Sequence, residues 1–228
     1  MKTPWMKALA IALLAASTGV LAPACADNES SLFIRACLVP DDSCSVEPSP
    51  ETAFRSGGSM DASILGEYSC VLLLGNQLAP VGNDSLRTET SRIQVYAFDV
   101  TVTDRLGAVV GEFSSPTSGF IDPGQAPSAG YGAVGATLVD FNTVQKVAAQ
   151  GEAEGRSQPV IATVIARGRT LGGTEVESAP WSFPIEICRN CGCTPNCTWP
   201  LDAEPLPSCL RGREGNCVVA ENSCTTPP

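Results

Sequence analysis

Ser91-Arg92-Ile93-Gln94-Val95-Tyr96-Ala97-Phe98-Asp99-Val100-Thr101-Val102-Thr103 is the stretch that decides the fold. Ile93, Val95 and Ala97 share one face. Val100 and Val102 continue the alternation one residue out of phase. A period of two is the mark of a half-buried strand, and the slip predicts a bulge near Phe98. Asp104-Arg105-Leu106-Gly107 then turns the chain, with glycine at the left-handed position of a hairpin, and Ala108 to Phe113 returns.

The same reading extends in both directions. Leu32 to Cys37 and Ile64 to Leu74 read as strands, separated by a Pro/Ser/Gly-rich loop over residues 45–62. Residues 76–85 form a second loop, and Ser114 to Gly132, with Pro116, Pro123 and Pro127, a third. Val134 to Phe141 is a strand. Asn142 to Gln150 reads as a helix capped by Asn142 and ended by Gly151. Gln158 to Arg167 places Val160, Ala162, Val164 and Ala166 on one face, and Thr170 to Gly173 turns. In the last strand, Val176 to Ile187, the side chains of Trp181, Phe183, Ile185 and Ile187 alternate with polar ones. Pro180 and Pro184 lack a donor and point to an edge. Strands at short intervals with one helix predict a mostly β chain: an antiparallel immunoglobulin-like β-sandwich with one short helix and a disulfide-rich C-terminal tail. The expected division is a signal peptide at 1–24, lipid attachment and tether at 25–31, the sandwich at 32–187 and the tail at 188–228.

The hairpin carrying Glu177-Ser178-Ala179-Pro180-Trp181-Ser182-Phe183 resembles the closing strands of fibronectin type III domains. At the other end of the chain, Lys2 and Lys7 precede an uncharged run, Ala8 to Ala22, which closes in Leu21-Ala22-Pro23-Ala24-Cys25. A basic start, an apolar stretch and small residues are the parts of an export signal. The 15-residue run is short of the roughly 20 that a spanning helix needs. Leu21 to Cys25 resembles a bacterial lipoprotein signal. That resemblance implies that Cys25 is diacylated, becomes the N-terminus and anchors the protein to a membrane through its lipid. Ordinary cleavage after Ala24 or Ala26 is the alternative, and would give a secreted protein. Taken whole, the layout resembles uncharacterised envelope lipoproteins of myxobacterial type. The lipoprotein-like start, Leu86 to Arg92, Thr170 to Ser178 and the cysteine-rich tail carry that likeness. It implies the bacterial cell envelope, with the outer membrane first, and no particular activity.

The formal net charge is −10, and removal of the signal deletes two lysines and no acid, leaving −12. Such a surface repels nucleic acid and anionic headgroups. The chain has eleven cysteines: Cys25, Cys37, Cys44, Cys70, Cys188, Cys191, Cys193, Cys197, Cys209, Cys217 and Cys224. In an exported protein these read as a disulfide framework. With Cys25 acylated or cleaved off, ten remain. Three lie in the body and seven in the tail, so complete pairing requires at least one bridge between body and tail. Pro40-Asp41-Asp42 suits a turn and predicts Cys37–Cys44, with Cys70 left for Cys188 or Cys191.

Chemistry-bearing patterns are few. Gly130-Tyr131-Gly132-Ala133-Val134-Gly135 matches G-x-G-x-x-G, but it lacks the flanking strand and helix that phosphate binding needs and reads as a loop entering a strand. Cys188-x2-Cys191-x1-Cys193-x3-Cys197 could ligate zinc, although an oxidising compartment favours disulfides. Without histidine, a Ser-His-Asp or Cys-His site cannot be built. The carboxylate pairs Asp41/Asp42, Glu152/Glu154 and Glu175/Glu177 remain as candidates for a hydrolase. Arg87, Arg92, Arg167 and Arg169 flank the central strands, with acids abundant enough to pair with them. Trp181 and Phe183 read as core. The expectation is a non-catalytic binding or structural module without metal or cofactor, its protein or surface ligand unidentified. A secreted carboxylate-dependent hydrolase is the alternative.

Overall fold

The computed structural model describes residues 31–41, 43–81 and 89–190. In chain order these form β1 (Leu32–Leu38), β2 (Phe54–Arg55), β3 (Gly58–Asp61), β4 (Tyr68–Asn76), β5 (Ile93–Asp104), β6 (Val109–Ile121), β7 (Gly130–Val139), α1 (Phe141–Glu154), β8 (Gln158–Thr170), β9 (Glu175–Glu177) and β10 (Trp181–Cys188). One sheet runs β2-β1-β4-β7. The second runs β3-β10-β8-β5-β6, with β9 beside β8. The molecule is a mostly β sandwich, and its pairings are antiparallel apart from β3 on β10 and a single bridge from Leu32 to Ser178.

The core lies between the sheets. Leu72, Leu74 and Tyr68 of β4 and Val134 and Leu138 of β7 meet Phe98, Val100, Ala162, Val164, Phe183 and Ile185 of the facing sheet. Each large apolar side chain fully withdrawn from water contributes about 1.5–3 kcal/mol before chain entropy is counted. Trp181 stacks on Phe183 with ring centroids 5.4 Å apart, and it packs against the core as expected. A polar pin closes one end: fully buried Asn76 donates to the carbonyls of Ser91 (2.9 Å) and Ile121 (3.2 Å) and accepts from the Leu78 N–H (2.9 Å). On one side the sheets meet at β6 and β7, where hydroxyls replace a ladder. Thr117 donates to the Gly135 carbonyl (2.8 Å), and the Thr137 N–H donates to Ser115 (3.1 Å).

Several expectations are corrected. The bulge in β5 falls between Val95 and Ala97, two residues before Phe98, so Phe98 faces inward and Ala97 is only half-buried. Pro116 lies inside β6 rather than in a loop. It stands opposite Ala97 at that bulge, on the outermost strand of the second sheet, where a missing donor costs little. The 45–62 loop contains β2 and β3. The Ile64 strand begins only at Tyr68, because Asp61 turns the chain: its carboxylate accepts from the Ser63 N–H (2.8 Å) and its carbonyl from the N–H groups of Ile64 and Leu65. The long closing strand is two strands, β9 and β10. β10 is an edge only at Trp181–Pro184, since β3 covers Ile185–Cys188. Helix α1 is longer than predicted at both ends. Its cap is Asp140, which accepts from the Thr143 N–H, and Gly155 (φ +66°) ends it. Gly151 is buried inside it.

The disulfide expectation also changes. Cys37 bonds to Cys70, not to Cys44. Both side chains point into the sandwich from adjacent strands, whereas the Asp41 turn holds itself by side-chain hydrogen bonds to Ser43 and Ser45 (2.7–2.9 Å). Cys44 and Cys188 are disulfide-bonded as well. The signal segment, Cys25, Asp42, Leu86 to Thr88 and the tail cysteines from Cys191 to Cys224 lie outside the described residues. Among the described residues no helix is long and apolar enough to cross a membrane.

Candidate functional site

Strand register places the candidate charged residues. β8 and β9 set Arg167 opposite Glu177 and Arg169 opposite Glu175 on the outer face of the second sheet, while β5 brings Asp99 and Tyr96 beside them. Arg167 donates to Asp99 (2.7 Å) and pairs with Glu177. Arg169 donates to Glu175 (2.6 Å), which also accepts from the Tyr96 hydroxyl (3.1 Å). At the edge, Arg92 pairs with Asp122 (2.5 Å). Thus Arg92, Arg167 and Arg169 do not converge as a receptor for an acidic ligand. They pair with acids in an exposed ladder. Arg87 is outside the described residues.

The carboxylates are set up as acceptors. The hydrogen bond from Arg169 holds Glu175 below the usual glutamate range, and Tyr96 and the Arg169 charge add to it. Arg156 and Gln158 hold Glu154 down in the same way. Asp41 is lowered by its bonds to Ser43 and Ser45. Burial raises the Tyr96 phenol first, with the bond to Glu175 next. Glu152 lies 3.6 Å from Arg189, whose guanidinium also donates to Gln145 (2.9 Å). A general acid working near neutral pH needs its pKa raised, and Asp41, Glu154 and Glu175 have theirs pushed the other way.

A cleft of about 370 Å³ opens at the end of the first sheet, beside the turn after β1. Its wall mixes Leu38, Leu65, Val71 and Pro116 with the Ser69, Ser115 and Thr137 hydroxyls. Among the described residues Arg55 supplies its cation, and Cys44 is part of the lining. The volume falls in the range of small-ligand sites, roughly 300–1,000 Å³. Among the described residues no carboxylate lines it, and those residues offer hydrogen bonding and apolar contact. Among the described residues no three cysteines, aspartates or glutamates gather as a metal site.

The glycines of the G-x-G-x-x-G match lie in β7, not in a loop, and the helix that follows begins only at Phe141. Two of them answer a packing need: a Cβ on Gly130 would overlap the Asp122 carbonyl and one on Gly132 would come within 2.8 Å of the Phe120 carbonyl on β6, whereas Gly135 has open space beside it. Sequence reasoning missed Asp61, which is 3% exposed and accepts from the Ser63 hydroxyl (2.6 Å) and the Asn190 N–H (3.0 Å). The Asp61-Ala62-Ser63 spacing of an Asx turn was the available signal.

No family model matches the chain, and no curated protein matches it. Two solved structures are distantly similar: a protein from Archaeoglobus fulgidus, with 12% identity over 68% of this chain and 93% of that one and a TM-score of 0.32, and one from Arabidopsis thaliana, with 12% identity over 68% and 96% and a TM-score of 0.29. At that distance the likeness carries no argument about fold or function.

Proposed function

We propose that this protein is an exported lipoprotein of a bacterial cell envelope. In this reading Cys25 is held at a membrane by its acyl chains, a short tether spaces the domain, and the sandwich acts as a non-catalytic binding or structural module. The observation that carries the reading is the Cys37–Cys70 disulfide in the interior of the sandwich. Structural disulfides belong to oxidising compartments, which agrees with the export signal at the N-terminus. Arginine pairing of Glu154 and Glu175, which depresses both, weighs against a carboxylate-dependent hydrolase. Two or three acyl chains give stable anchoring where one is marginal.

The test is membrane fractionation with intact mass. The wild-type chain is expected in the membrane fraction, starting at Cys25 with acyl mass. Cys25→Ala is expected to move to the soluble fraction. A soluble wild type with an unmodified N-terminus at Cys25 or Asp27 overturns the anchor.

A further inference from the structure

We infer that the end of the sandwich where β1 begins is a membrane-facing surface that lies on the lipid headgroups, an orientation that rests on the lipid-anchored reading proposed above.

Strand direction defines that end. β1 begins there, β4 ends there at Asn76, β5 begins at Ile93, β6 ends at Ile121 and β8 ends at Thr170. Hydrogen bonds knit the connecting segments together. The Gln77 N–H donates to the Ser31 carbonyl (2.8 Å), the Leu171 N–H to the Arg92 carbonyl (2.9 Å) and the Val81 N–H to the Glu89 carboxylate (3.2 Å). Ser31, from which the sequence runs back to Cys25, is therefore part of this end.

Its surface is apolar and poor in charge. Val81, Phe120 and Leu171 are 68%, 53% and 47% exposed. In the described loops 77–81, 122–129 and 171–174 the one charged residue is Asp122. It is paired with Arg92, whose guanidinium also lies 6.0 Å from the centre of the Phe120 ring. The Glu89 carboxylate is turned onto the N–H groups of Val81 and Ser91. At the opposite end Leu106 and Phe141 are exposed as well, but that end also carries Asp104, Arg105, Asp140, Glu152 and Glu154. Pressing a charged surface onto a bilayer costs the hydration of its ions, and acids meet repulsion from anionic headgroups besides. In a chain of formal net charge −10, the charge-poor end lies down at least cost, and its apolar side chains gain by leaving water.

Reach sets the same orientation. Six residue steps separate Cys25 from Ser31, about 21 Å at full extension. The 12 residues of β5 alone run roughly 40 Å toward the other end. With Cys25 held in the bilayer, the far end cannot be turned to the membrane without carrying Ser31 beyond its tether. A short tether also makes the contact intramolecular, at an effective concentration on the order of millimolar, so that a few exposed apolar groups suffice.

The test is hydroxyl-radical footprinting, read by mass spectrometry, of the full chain in phosphatidylethanolamine/phosphatidylglycerol vesicles, with soluble Cys25→Ala as the reference. Oxidation of Val81, Phe120 and Leu171 is expected to slow several-fold on the vesicles, while Leu106 and Phe141 keep the rates of the soluble chain. Val81→Asp/Leu171→Asp is expected to stay in the membrane fraction through its acyl chains and to return Phe120 to the soluble rate. Protection at Leu106 or Phe141 instead, or equal rates at both ends, overturns the orientation and leaves the anchor standing. Intact mass of the same sample keeps the two apart: a chain without acyl mass on Cys25 sinks the anchor, and the orientation with it.

Discussion

Cys37 and Cys70 are bonded along a diagonal: Cys37 stands opposite Leu72 and Cys70 opposite Ala136, so the disulfide crosses from β1 to β4 two residues off the register. It fastens neighbouring strands on the inner face and encloses the whole excursion through β2 and β3. With a sequence separation of 33, the chain-entropy account assigns it about 3–4 kcal/mol. The double variant Cys37→Ala/Cys70→Ala is expected to lose that much in urea unfolding while keeping the wild-type far-UV signature. A loss below about 1 kcal/mol would sink the assignment.

Gly58 lies against Tyr68, and a Cβ there would overlap the phenol oxygen and ring. Tyr68 is fully buried and has no room to withdraw. Gly58→Ala is therefore expected to cost about 1–3 kcal/mol, the range for overpacking. The first effect should be loosening of β3 from β10, read as faster amide exchange at Ile187 and Cys188. An unchanged melting temperature would contradict this contact.

The helix ends offer an independent check. Asp140→Ala removes the side chain that caps the Thr143 N–H, and about 1 kcal/mol should go with it. Gly155→Ala puts a side chain at φ +66° and should cost about 1 kcal/mol. The two sites are at opposite ends of α1, so the double variant should show the sum in denaturant titrations. Marked non-additivity would mean that the helix unfolds as part of a larger unit.

The Glu175–Arg169 pair sets the direction of a pH effect. The folded-state pKa of Glu175 lies below its unfolded value, so its contribution is complete above the unfolded value and is lost as pH falls through the folded one. The stability difference between wild type and Arg169→Met is expected to be flat at neutral pH and to close in acid. It should also shrink in high salt, since the pair is exposed. A difference that widens on acidification would reverse the assignment.

The fold was legible where one face is buried. β5, β8 and β10 alternate because core lies on one side and solvent on the other, and the hairpin at Asp104–Gly107 forms as read, with Gly107 at φ +84°. Elsewhere the period failed for physical reasons. β4 is buried or half-buried on both faces, and its alternation is lost after Val71. β6 hides behind Pro116 because a bulge absorbs the proline, and β3 is four residues held by one neighbour. Asn142 was read as the helix cap because it begins the polar run, but Asp140, two residues earlier, accepts from the first turn. Among the site candidates, histidine-dependent chemistry is excluded by residue type, since no histidine is present. Pairing partners were not readable: Arg167 meets Asp99 from 68 positions away, and a disulfide between strands leaves no mark in local spacing.

The hydroxyl seam between β6 and β7 has a consequence for association. It brings the outer strands of both sheets together, and among the described residues the border that remains is broken into short pieces: β2, β3, Leu32–Ala36 of β1 beyond β2, and Trp181–Pro184 of β10. Fibril growth and strand exchange need a long row of unused backbone donors and acceptors as a template. Among the described residues that template survives only in short, separate pieces, which disfavours edge-to-edge growth between neighbouring copies.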